Sequence, residues 1–166
     1  MEQKRAFSLL VENTSSVLSR VAGFFTRRGY NIDSIAAGVT MDPRITRITV
    51  VAHGDDLILE QIEKQLRKMV DVLDVKKLNE GVSVCRDLIM VKIRASAEER
   101  QAIVAVTDIF RAKVVDVGPE SMIIELTGNQ SKLEAFIQLL SNYEILELAR
   151  TGVTGLSRGS DDVKYF

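Results

Sequence analysis

Near the start of the chain apolar residues fall at every second position, and a few residues later at every third and fourth. Phe7, Leu9 and Val11 alternate with Ala6, Ser8 and Leu10, the period of a pleated strand with one face turned to a core. Leu18, Val21, Ala22 and Phe25 then stand at i, i+3, i+4 and i+7, one stripe along a helix over about residues 17–28, with Gly29 as its stop. Strand character returns from Tyr30 to about Val39 and, after an Asp42-Pro43 turn, from Ile45 to Ala52, which predicts a hairpin. Gly54-Asp55-Asp56 opens a second helix with Leu59, Ile62, Leu66 and Met69 inward, and Val72 to Leu78 closes the series as a strand.

The order then repeats. Leu88 to Arg94 alternates, Ser96 and Glu99 have capping-box spacing before a helix ending near Arg111, and strands follow at Lys113 to Val117 and Met122 to Leu126. Ser131 and Glu134 offer a second capping box, for a helix with Leu133, Phe136, Ile137 and Leu140 inward, and Ile145 to Ala149 is the last strand. Pro43 and Pro119, the two prolines of the chain, each fall in the middle hairpin of a unit, which supports a duplication. The pattern predicts an α+β protein of two tandem ferredoxin-like split βαβ (βαββαβ) units: a first domain over 1–79, a linker over 80–87, a second domain over 88–151 and a flexible, glycine-rich tail over 152–166. Helices on one side of each sheet leave the other side open. In the first unit that side carries Ala6, Ser8, Leu10, Thr49 and Val51, too apolar for water, so a second chain is expected to cover it.

Composition narrows the function classes. Basic and acidic residues nearly cancel, 22 against 23, so no overall field favours nucleic acid or anionic lipid. The start shows no signal-peptide pattern, and no apolar run approaches the ~20 residues of a membrane span; a cytoplasmic location is expected. A single cysteine, Cys85, allows no internal disulfide and no thiolate cluster.

Reactive groups are scarce. The one histidine, His53, stands at a strand end, and the pairs Asp55-Asp56, Glu98-Glu99 and Asp161-Asp162 have the places of helix starts or tail. No P-loop or GxGxxG motif is present. The aromatic platform of an RNA-binding split βαβ module is missing, since the central strands offer only Phe7 and the alternation turns it inward. An acylphosphatase-like enzyme would need an arginine held in an anion-binding loop and an asparagine to position water, whereas Arg20 lies within the first helix rather than in the loop. What remains is a binding site. Asn13 ends the first strand, Ser15, Ser16, Val17 and Leu18 bring main-chain amides to a helix start, and Asn31 begins a second strand taken to lie beside the first. A free α-amino acid suits this set, with its carboxylate on the amides, its ammonium on the asparagines, and its side chain against Val17, Leu18 and Ile32. The alternative is that Asn13 and Asn31 merely serve turns.

At these residues the chain resembles the regulatory small subunits of acetolactate synthase (acetohydroxyacid synthase). The matching segments are Leu10-Val11-Glu12-Asn13 with Val17-Leu18-Ser19-Arg20-Val21, Arg28-Gly29-Tyr30-Asn31-Ile32, Ile62-Glu63-Lys64-Gln65-Leu66 with Val70-Asp71-Val72, Arg150-Thr151-Gly152, and Gly155-Leu156-Ser157-Arg158-Gly159. The resemblance implies an amino-terminal ACT domain and a carboxy-terminal regulatory domain. It also implies a homodimer with ACT domains paired edge to edge and valine, or another branched-chain amino acid, between them. The implied partner is the catalytic large subunit, which would carry thiamine diphosphate, magnesium and FAD; the small subunit, with no cofactor or catalytic residue of its own, would activate it and confer feedback inhibition in branched-chain amino-acid synthesis. A free-standing ACT-domain sensor with another partner is the alternative. The chain departs from the family at Ser16, where glycine is usual. That leaves two outcomes open: a hydroxyl that bonds the effector, or a cleft too tight for it.

Overall fold

The computed structural model describes residues 1–161 and 163, and the chain divides into two compact units, one of Met1–Cys85 with Val153–Phe166 and one of Arg86–Gly152. In the first, β1 (Gln3–Glu12), β2 (Asn31–Val39), β3 (Ile45–Gly54) and β4 (Val72–Leu78) form one antiparallel sheet in the order β2-β3-β1-β4. Phe7 faces Val50, and Leu9 faces both Ile48 and Val75. Helices α1 (Val17–Arg28) and α2 (Asp56–Leu66) close this face, and the side chains between them are fully buried. Each such Leu, Ile or Phe is worth about 1.5–3 kcal/mol against exposure. Phe24 and Phe25 pack edge to face, with centroids 5.1 Å apart. Gly29 ends α1 in the left-handed region at φ 66°, with the Tyr30 amide bonded to the Phe25 carbonyl at 3.0 Å, which closes a Schellman turn. The buried stripe of α1 is Val17, Val21, Phe24 and Phe25, one position off the expected set: Leu18 projects outward, 46% exposed.

The opposite sheet face corrects two expectations. Ser8, Leu10, Thr49 and Val51 are buried and Ala6 is half-buried within this single chain, so those four need no second copy to cover them. Part of the cover is the segment read as a loose tail. Its β9 (Thr154–Ser157) pairs with β5 (Ser83–Arg94). The Val153 amide donates to Ser34 Oγ at 3.3 Å and the Arg158 amide to the Val82 carbonyl at 2.8 Å. Gly155 is buried, and a Cβ there would stand 2.7 Å from both Cys85 Sγ and the Val84 carbonyl, so the glycine permits close approach of two backbones. Residues 80–87, expected as a linker, include the start of β5. The expected pairing of β1 with β2 is also corrected: β3 lies between them.

The second unit repeats the order. Strands β6 (Lys113–Val117), β7 (Ser121–Gly128), β5 and β8 (Ile145–Arg150) lie as β6-β7-β5-β8, with α3 (Arg100–Ile109) and α4 (Gln130–Leu140). Their core contains Ile89, Val91, Ile103, Ile124 and Phe136. Ser96 and Glu99 exchange the two bonds of a capping box, at 3.2 and 3.3 Å. The second expected box is not formed: Asn129 caps α4 by accepting from the Lys132 amide at 3.0 Å, while Glu134 accepts from Gln130. Arg150 and Thr151 clamp the buried Asp87, with Arg150 donating to Oδ2 at 2.9 and 3.2 Å.

Candidate functional site

The bend from β1 into α1 is fastened on several sides. The Glu12 amide donates to the Asp71 carbonyl at 3.0 Å and the Asn13 amide to the Arg44 carbonyl at 2.7 Å. Asn13 Nδ2 donates to the Pro43 carbonyl at 2.9 Å, which ties the bend to the β2–β3 turn and leaves Oδ1 as the end of the amide able to receive a ligand proton. That turn is firm: Arg44 grips Asp42 with its side chain and amide and holds the Asp42 carboxyl at about 2.

The Val17 amide reaches back to the Thr14 carbonyl, and the helical ladder begins with Arg20 donating to the Ser16 carbonyl. The amides of Leu18 and Ser19 therefore have no acceptor within the helix. Ser16 makes no side-chain cap bond, and the first turn carries no acidic side chain, so the first turn itself supplies none of the negative charge that the helix dipole favours there. By contrast α2 supplies its own, with Asp55 capping Ile58 and Asp56 in the first turn. Ser16 sits at φ −104°, ψ −6°, an ordinary conformation for a residue with a Cβ. Its hydroxyl accepts from Arg20 at 2.8 Å, and Arg20 pairs through its other terminal nitrogen with the buried Asp71.

The other expected site residues lie elsewhere. The Val17 side chain is in the core and Leu18 faces solvent beside the open amides; Ser15 and Asn13 are exposed. Asn31 pairs with His53 of β3, whereas the β1 end that leads to Asn13 pairs near Thr46. Seven strand steps of about 3.3 Å separate the two ends, roughly 23 Å, so one chain does not bring Asn13 and Asn31 together. Ile32, half-buried, packs on the core beside Asn31. From sequence, Arg20 has only the place of a helix residue and His53 that of a strand-end histidine, and Asp71 has no evident role. Ser16 and Arg20 are at i and i+4, a spacing that signals contact on a helix; nothing local pointed to Asp71.

The sheet order β2-β3-β1-β4 with both helices on one face is the split βαβ fold of an ACT domain, and residues 7–74 match the family described as an AHAS small subunit-like ACT domain. Residues 86–159 match the family described as the small subunit of acetolactate synthase. The chain belongs to the acetolactate synthase small-subunit family. It is 51% identical over 154 residues to a probable acetolactate synthase small subunit of Methanothermobacter thermautotrophicus, covering 92% of each chain. It is 46% identical over 157 residues to the isozyme 3 small subunit of Escherichia coli, covering 94% of this chain and 96% of that one. The crystal structure of the small subunit from Thermotoga maritima superposes with a TM-score of 0.87 at 40% identity, over 95% of this chain and 99% of that one.

Proposed function

We propose that this chain is a non-catalytic regulatory subunit that activates the acetolactate synthase large subunit and makes it inhibitable by valine or a related branched-chain amino acid. The observation that carries the effector site is the pair of committed amides at Asn13 and Asn31. Asn13 gives its NH2 to Pro43 and Asn31 its NH2 to His53, at 2.9 and 3.4 Å, so each leaves a carbonyl oxygen to accept from an ammonium. The amides at the start of α1 suit the carboxylate, and Leu18 and Ile32 suit an aliphatic side chain.

A second copy completes the site. β2 is an edge strand with Ile35 and Val39 exposed, an invitation to pair. Antiparallel pairing of β2 with its counterpart would set Asn31 of the partner subunit near Val39, the end where the Asn13-bearing bend meets the hairpin turn. In this two-fold arrangement each interface holds two equivalent sites.

The effector acts by favouring one of two arrangements of the assembled enzyme; couplings of this kind are typically about 1–3 kcal/mol and reciprocal. Reconstitution of the large subunit with and without this chain, and with added valine, tests the role. Activation by the chain and inhibition by valine are expected, with Asn13→Ala abolishing inhibition and sparing activation. An unchanged large-subunit activity would refute the regulatory assignment.

A further inference from the structure

We infer that His53 is a positioning residue: it sets which end of the Asn31 amide an amino-acid effector meets, so effector binding weakens as the imidazole takes up a proton. The inference rests on the reading of Asn31 as a ligand group. It starts from a hydrogen-bonded row across the end of the first sheet. Lys4 of β1 lies opposite His53 of β3, which lies opposite Asn31 of β2. Asp33 of β2 receives Lys4 Nζ at 3.0 Å and lies 2.7 Å from His53 Nδ1; His53 Nε2 is 3.4 Å from Asn31 Nδ2. The acidic groups at the start of α2 are engaged elsewhere, Asp55 by the Ile58 amide at 2.8 Å and Asp56 by Arg5 at 3.3 Å.

Burial pushes the Asp33 carboxyl up, but the hydrogen bonds from Lys4 and His53 outweigh it and hold it below the usual carboxylate range. An ionised Asp33 can only accept, so Nδ1 carries a proton in both charge states of the ring. The neutral imidazole then presents a bare Nε2, which accepts from the Asn31 NH2 and turns Oδ1 away, available to an ammonium. Protonation places a hydrogen on Nε2. Donor would face donor, and the Asn31 amide must turn over, spending Oδ1 on the imidazole and offering its NH2 to the ammonium.

His53 is the single histidine of the chain, and neither charged group of a free α-amino acid titrates between pH 5.5 and 8, so a pH dependence that disappears in His53→Gln belongs to this ring. Calorimetric titration of valine, leucine and isoleucine into the full chain between pH 8 and 5.5 tests the inference, repeated with His53→Gln and His53→Lys. The wild-type dissociation constant is expected to rise about tenfold toward pH 5.5, that of His53→Gln to stay flat, and that of His53→Lys to be weak throughout. The imidazole proton signal in NMR gives a second readout: its titration midpoint moves down when the effector is bound, by reciprocity, a shift that a purely structural histidine would not show. Wild-type binding with no pH slope, or the same slope in His53→Gln, overturns the inference and leaves the site reading standing. No binding of any of the three amino acids at any pH overturns both.

Discussion

At Ser16 the backbone has no need of a glycine. Replacement of a usual glycine raises the prospect of strained backbone or a filled cleft, yet Ser16 is right-handed and its hydroxyl is drawn along the helix to Arg20. The hydroxyl keeps its own proton, but its position toward Arg20 makes the main-chain amides beside it the expected ligand contact. Ser16→Gly is therefore expected to change valine affinity by less than about threefold, well under the 1.4 kcal/mol that a factor of ten requires; calorimetry on the two proteins reads it directly. Glu63 makes a second prediction at this scale. Burial pushes its carboxyl up, but hydrogen bonds from Lys77 and Arg67 outweigh burial and hold it below the usual range. A carboxyl lower in the folded state than in the unfolded one stabilises the fold above its unfolded pKa, and that stabilisation is lost as pH falls through the lowered value. Thermal unfolding from pH 6 downward should fall less steeply in Glu63→Gln than in wild type over the acid limb.

Elements were legible in the chain to the degree that their neighbours are local. The alternation of Phe7, Leu9 and Val11 set the core face of β1, and the Ser96–Glu99 spacing announced a cap that is present. The inward stripe of α1 was less determinate, because 18, 21, 22, 25 and 17, 21, 24, 25 both satisfy a 3.6-residue period and packing alone chose the second. The last strand was hidden for another reason. A run with Gly152, Gly155 and Gly159 has the composition of a free tail, and what orders it is contact with segments about 70 residues earlier, at Val82 and Val84. Its glycine is the test. Gly155→Ala puts a methyl group 2.7 Å from the Val84 carbonyl oxygen, a backbone atom with little room to yield. A loss of about 1–3 kcal/mol is expected from this overpacking, measurable by urea unfolding, whereas a loose tail would tolerate the change at no cost.

For the whole molecule, the duplication was visible in the matching positions of two prolines, and the sheets bear it out with one strand order used twice. The candidate site was only half legible. Asn13 and the helix start were found together because they are adjacent in sequence; Asn31 was assigned to the same place by supposing β2 beside β1, and the strand between them moves it to the far end. If a second copy restores the meeting, valine should promote dimerisation, so that sedimentation shows a lower dimer dissociation constant with valine than without it. The Asn13→Ala protein should show no such response.

The placement of β9 has a practical corollary. Because residues 153–161 belong with residues 1–85, the amino-terminal body is split in sequence and the residues 86–152 are an insertion within it. A fragment cut after residue 79 would lose Leu156, which lines one pocket with Leu10, exposing a greasy sheet that invites precipitation. Excising residues 86–152 and bridging the gap with a few glycines and serines should instead yield a soluble miniature of the sensor, and comparing the solubility of the two fragments would tell whether the chain's two ends have to be kept in one piece of protein.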